Sequence, residues 1–105
     1  MKKMLDPLNN TVVLQLSTLR GHIYRRHPIL KGKEKEIIQT VENPDNIAKS
    51  KKDGKSLLYF RKMTDVLILM VVASPEGKVF TIRTSFYVFN TSKGDPIIWH
   101  KKIST

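Results

Sequence analysis

The residues best suited to chemistry in this sequence cluster in Arg20-Gly21-His22-Ile23-Tyr24-Arg25-Arg26-His27-Pro28. On a helix His22, Arg25 and Arg26 stand three and four residues apart and share the solvent-side face, while Ile23 turns toward a core. An imidazole titrates near pH 6.5 and passes protons at neutral pH, and guanidinium forks grip phosphate at two points. Together they suit phosphodiester chemistry. The competing reading is a solvated basic helix face with an incidental histidine. A metal site is disfavoured. His22 and His27 are five apart, which on an ideal helix separates them by about 140° instead of stacking them. No acidic ligand adjoins them, His100 lies in a distant segment, and without cysteine there is no thiolate zinc site.

A second cluster lies on Phe80-Thr81-Ile82-Arg83-Thr84-Ser85-Phe86-Tyr87-Val88. Strict alternation puts Phe80, Ile82, Phe86 and Val88 on one face with Thr84, and Thr81, Arg83, Ser85 and Tyr87 on the other. An outward row of Arg83, Ser85 and Tyr87 has the donors to hold a phosphate and a ring to stack a base. The alternative is an ordinary solvent-facing strand, with Thr84 a buried hydroxyl bonded to backbone. Lys49, Lys51, Lys52, Arg61 and Lys62 add a basic hairpin, read either as nucleic-acid contacts or as lysines guarding a sheet edge.

Elements that would position these groups follow from the pattern. Thr11 to Leu16 reads as a short strand, and Ser17 or Thr18 caps a helix that ends near Arg26 because Pro28 forces His27 out of helical geometry. A second helix fits Glu34 to Glu42, with Ile37, Ile38 and Val41 as its stripe, and Asn43-Pro44-Asp45 stops it. Asp53-Gly54 predicts a two-residue hairpin joining Ile47–Lys52 to Lys55–Lys62. Val66 to Ser74 predicts a central strand, turned by Pro75-Glu76-Gly77 into Lys78–Phe89. Pro96 to Lys101 adds an edge strand or packs across the sheet. The expectation is α+β: two helices preceding and lying on a sheet of four to five antiparallel strands.

At 105 residues with 40% hydrophobic content, the chain predicts one domain, residues 1–105, rather than a disordered segment. Its 19 Lys and Arg against 9 Asp and Glu give +10, a field that attracts RNA, DNA, acidic membranes or an acidic protein. Asp6, Pro7, Asn9 and Asn10 interrupt the stretch where a signal peptide would be apolar. The longest apolar run, Val66 to Ala73, is far short of the roughly 20 residues that span a bilayer. A cytoplasmic protein with no membrane partner is expected. The glycines at 21, 32, 54, 77 and 94 form no phosphate-binding loop, and neither a G-x-S-x-G elbow nor paired carboxylates occur. Redox, ATP-driven and metal-hydrolytic chemistry is disfavoured, and no cofactor is expected.

Four pieces in succession, His22-Ile23-x-x-x-His27-Pro28, Asn43-Pro44-Asp45-x-Ile47, Tyr59-Phe60-Arg61-Lys62 and Arg83-Thr84-Ser85-Phe86-Tyr87, resemble the phage-type barnase, EndoU, colicin and RelE-like nucleases over about residues 20–88. The resemblance implies a helix pair followed by a four-stranded antiparallel sheet, and a metal-independent ribonuclease of toxin or phage-effector type. It also implies that His22 and His27 are the family's histidines and that Thr84 or Ser85 is its late-strand hydroxyl. The expected reaction is transesterification, in which the RNA 2′-hydroxyl attacks phosphorus. His22 would be the base and His27 or Tyr87 the acid. Arg26 and Arg83 would hold the phosphoryl oxygens with Thr84 or Ser85. Arg25, Lys49, Lys51, Arg61 and Lys62 would bind the RNA backbone. An acidic antitoxin or immunity protein is a further expected partner. The alternatives are a non-catalytic nucleic-acid-binding module and a basic protein whose ligand is an acidic protein.

Overall fold

The computed structural model describes residues 1–102. The chain begins with a hairpin, β1 (Lys2–Leu5) and β2 (Thr11–Leu14). Its turn is tied by Asp6, whose Oδ1 accepts the amides of Leu8 at 2.9 Å and Asn10 at 2.8 Å. Helix α1 covers residues 16–26, with α-helical turns at Leu16–Thr18 and Tyr24–Arg26 on either side of a wider π turn, Leu19–Ile23. A 3₁₀ turn at Pro28–Leu30 leads to α2 (Glu34–Glu42). The remaining strands are β3 (Asn46–Ser50), β4 (Leu57–Lys62), β5 (Ile68–Glu76), β6 (Val79–Val88) and β7 (Gly94–His100).

These strands form one seven-stranded sheet in the order β1-β2-β6-β5-β4-β3-β7. The expected four- or five-stranded antiparallel sheet behind two helices is therefore corrected. The meander β3 to β6 is present as read, but a hairpin ahead of the helices extends one edge, where β2 pairs parallel with β6, and β7 extends the other. Lys2–Leu5 has only Met4 buried, so its period-2 signal is too faint to read. Pairing of β2 with β6 joins segments almost 70 residues apart, which no local pattern encodes. The Asp53-Gly54 turn also differs. Residues 51–56 form a longer loop, because Asp53 Oδ1 accepts the amides of Lys55 and Ser56 at 2.8 Å each.

The two faces of the sheet are covered differently. On one, Leu19 and Ile23 of α1, Leu30, and Ile37 and Val41 of α2 pack against Leu14, Ile47, Tyr59, Leu69, Val71 and Ile82. This is the main core. On the other, Ala48, Leu58, Phe60 and Met70 are buried, with Ile68, Val72, Phe86 and Val88 around them, and no helix covers them. Residues 89–93 cross that face instead, because β6 and β7 are separated in the sheet by β5, β4 and β3. β6 ends and β7 begins at opposite ends of the sheet and four strand spacings apart, so the strap crosses diagonally. Landing is at Gly94, where a Cβ would come within 2.5 Å of the Ala48 Cβ.

Candidate nucleic-acid interface

The interface is built on β6, and its geometry turns on one irregularity. Val72 pairs with Thr84 while its neighbour Ala73 pairs with Ile82, so Arg83 is the extra residue of a β-bulge. A bulge of one residue exchanges the two faces for everything beyond it. Phe80 and Ile82 therefore share the helix-covered face with Ser85 and Tyr87, while Thr84, Phe86 and Val88 face the strap. Strict alternation had grouped Ile82 with Phe86 and Arg83 with Ser85, and that grouping is corrected.

The strap-side residues line a groove of about 360 Å³. Leu58, Met70, Val72, Thr84 and Phe86 form its floor, and Lys51, Lys52 and Lys93 rim it. Lys93 is fixed there because its carbonyl accepts the Lys51 amide at 3.0 Å, joining strap to hairpin loop. The groove has an apolar and aromatic floor, one free hydroxyl and three ammonium groups.

His27 meets the same surface. Its ring stacks on Phe86 with centroids 5.0 Å apart and planes inclined by 25°. Pro28 excludes His27 from helical geometry, and its φ of −132° turns the chain out of α1 at this point. Burial lowers the His27 pKa below its ordinary 6.5, and the nearby positive charges of His22 and Arg26 lower it further. The imidazole is thereby held neutral at pH 7. His22 lies near enough for its charge to act on His27. The separation of about 140° expected for an ideal helix does not apply because His27 itself leaves helical geometry, with φ −132° and ψ 71°.

The other sequence-predicted residues are placed as follows. Arg25 and Arg26 are exposed on α1. Arg83 is exposed at the bulge and meets Glu76 at 3.4 Å, a surface pair that contributes little. Ser85 is fully buried, and its hydroxyl donates to the Met70 carbonyl at 2.8 Å. The buried, backbone-bonded hydroxyl considered for Thr84 is thus Ser85, and Thr84 is the one that opens onto the groove. Tyr87 packs against the helix-side core. Arg61 donates to Gln39 Oε1 at 2.9 Å, and Lys49 shares that helix-bearing side with Ile47 and Leu57. Lys62 stands at a second hollow beyond the strap. The fold thus gathers His27, Thr84 and Lys51 at one groove and leaves Ser85, Tyr87, Arg61 and Lys49 on the opposite side of the sheet.

Sequence reasoning missed Phe86 and Lys93. Phe86 was read as core, and Lys93 lies in a segment whose path depends on the strap. It also missed Asp6, 3% exposed, whose Oδ2 accepts the Tyr59 hydroxyl at 2.6 Å on the helix side. Burial and that carboxylate raise the Tyr59 pKa far above the ordinary phenol value. Asp6 and Tyr59 therefore serve the fold and not the groove. Among the described residues no helix is long and apolar enough to cross a membrane. Comparisons with protein-family models, curated proteins and solved structures find no match for this chain.

Proposed function

We propose that this protein is a metal-independent endoribonuclease, a toxin or phage effector of the barnase, EndoU, colicin and RelE-like kind, that holds single-stranded RNA across the strap-side groove. The observation carrying this reading is the stacking of a neutral imidazole, His27, on the aromatic floor of a groove that also holds Thr84 and three lysines. A neutral imidazole is a competent base at pH 7, ammonium groups hold phosphates, and a stacked ring supports a base. His27 removes the proton from the RNA 2′-hydroxyl. Its oxygen attacks the adjacent phosphorus, the bond to the 5′-oxygen breaks, and that oxygen leaves with a proton from His22. Lys51, Lys52 and Lys93, with the Thr84 hydroxyl, hold the charge that builds on the phosphoryl oxygens. This exchanges the roles first expected for the two histidines, because it is His27 that meets the groove.

The test is cleavage of an RNA oligomer in chelator. Products should carry 2′,3′-cyclic phosphate, and the all-deoxy oligomer should remain intact. His27→Ala should lose about 10²-fold or more in rate. A folded His27→Ala protein within threefold of the parent would remove His27 as the base.

One observation favours a second reading. Ser85 and Tyr87, two of the expected catalytic groups, are engaged on the far side of the sheet, which suits a module that binds RNA without cutting it. Salt-dependent RNA binding with no cleavage over hours would support that module. An acidic partner protein seated over the three lysines would block RNA under either reading.

A further inference from the structure

Beyond the strap lies a second hollow of about 360 Å³. Its walls are Phe60, Ile68 and Phe89, and its polar groups are Asp45, Asn46, Lys62, Asp65 and Thr91. The Asn46 Oδ1 is buried, and among the described residues nothing donates to it. A buried acceptor without a donor is destabilising, so this atom would gain from an N–H that reaches it through the hollow. The neighbouring Asp45 carboxylate is already engaged, since its Oδ2 accepts the Lys62 amide at 2.5 Å. Asp65 is exposed at the rim. Phe89 leaves 79% of its surface open at the mouth, an aromatic plane with nothing stacked on it.

We infer that this hollow is a nucleobase subsite for a base bearing an exocyclic amine, seated on Phe89 with its two N–H groups shared between Asn46 Oδ1 and the Asp65 carboxylate. The inference rests on the RNA reading above and adds a base preference to it. Charge sorts the two parts of a nucleotide across the strap. Lys51, Lys52 and Lys93 stand on one side, and on the other the two carboxylates of Asp45 and Asp65 outnumber the single ammonium of Lys62. The flat apolar walls suit a planar heterocycle. Adenine, cytosine and guanine carry an amine with two N–H groups, and uracil has none, so it fills the space while leaving one of the two acceptors unmet. Matching polar groups of this kind discriminate between bases by about 1–3 kcal/mol, or fivefold upward.

The experiment titrates the intact protein with uncleavable 2′-O-methyl homopolymers of A, C and U. The A and C oligomers should bind at least about fivefold more tightly than U. Asn46→Leu should remove the preference while U affinity holds, and Phe89→Ala, at an exposed position that leaves the fold intact, should remove the preference and weaken all three through the lost stacking surface. Lys93→Ala should weaken all three alike. Equal affinity for the three oligomers, or a preference that survives both Phe89→Ala and Asn46→Leu, overturns the subsite and leaves the RNA reading standing. Binding of none overturns the RNA reading. Free adenosine then decides the hollow by itself: amide shifts at Asn46 and Phe89 support the subsite, and unshifted amides overturn it.

Discussion

In the proposed reaction His27 is the base, and three influences on its proton act in one direction. Burial removes water from the ring, and two cationic neighbours oppose a third positive charge. As the base, it requires the neutral form, so the rising limb of kcat/KM against pH should have its midpoint below 6.5. His22→Gln removes one repelling charge and should move that midpoint upward toward the ordinary histidine value, which a pH–rate profile will read. The same shift affects folding. The unfolded chain takes up the His27 proton more readily than the folded one. The contribution from keeping His27 neutral is present above 6.5 and is lost as pH falls through the lower folded value. Asp6 illustrates the opposite kind of residue. Asp6→Ala strands the Tyr59 hydroxyl and the amides of Leu8 and Asn10, and should cost about 3 kcal/mol by urea denaturation with no change in RNA affinity. The histidines were legible in sequence because imidazoles beside arginines stand out by type. Asp6 was not, since its partner lies 53 positions away and an aspartate beside a proline reads as a turn.

At the level of elements, the interface depends on three departures from regular geometry: the exit of His27 from helical geometry at the end of α1, the bulge at Arg83 and the strap. Each moves a functional side chain, and none has a period that a sequence displays. The helices at residues 16–26 and 34–42 and the meander were legible because apolar stripes, Pro28 and Gly77 mark their limits. Phe86 and Thr84 could not be assigned to their face, because a single inserted residue reverses alternation without altering composition. The strap makes the most direct prediction here. Gly94→Ala drives a methyl group into Ala48, with 2.5 Å between the two Cβ atoms, and should cost about 2 kcal/mol. Combining it with Ala48→Gly should give a loss smaller than the sum of the single losses, as a double-mutant cycle would measure. Gly94→Ala should also weaken RNA binding, since it displaces Lys93 from the rim.

For the whole molecule, a net charge of +10 guarantees attraction to polyanions and says nothing of where they sit. Position comes from the sheet, which has helices on one face and only a five-residue strap on the other. Lysines converge there because the 51–56 loop and the strap are bonded to each other at the groove rim. Replacing Lys51, Lys52 and Lys93 together with alanine should lower the slope of log affinity against log salt by about two to three. Removing Lys31, Lys33 and Lys35, which lie outside the groove, should lower overall affinity while keeping the binding site.

In the proposed function RNA occupies the strap side of the sheet, against His27. Amide and methyl NMR shifts of the intact protein with an uncleavable 2′-O-methyl oligomer test it most directly. Perturbations concentrated at His27, Lys51, Thr84, Phe86 and Lys93, with α2 and the Tyr59 region undisturbed, are the expected result. Perturbations confined to the exposed arginines of α1 and to α2, with Thr84 and Phe86 unmoved, would contradict it.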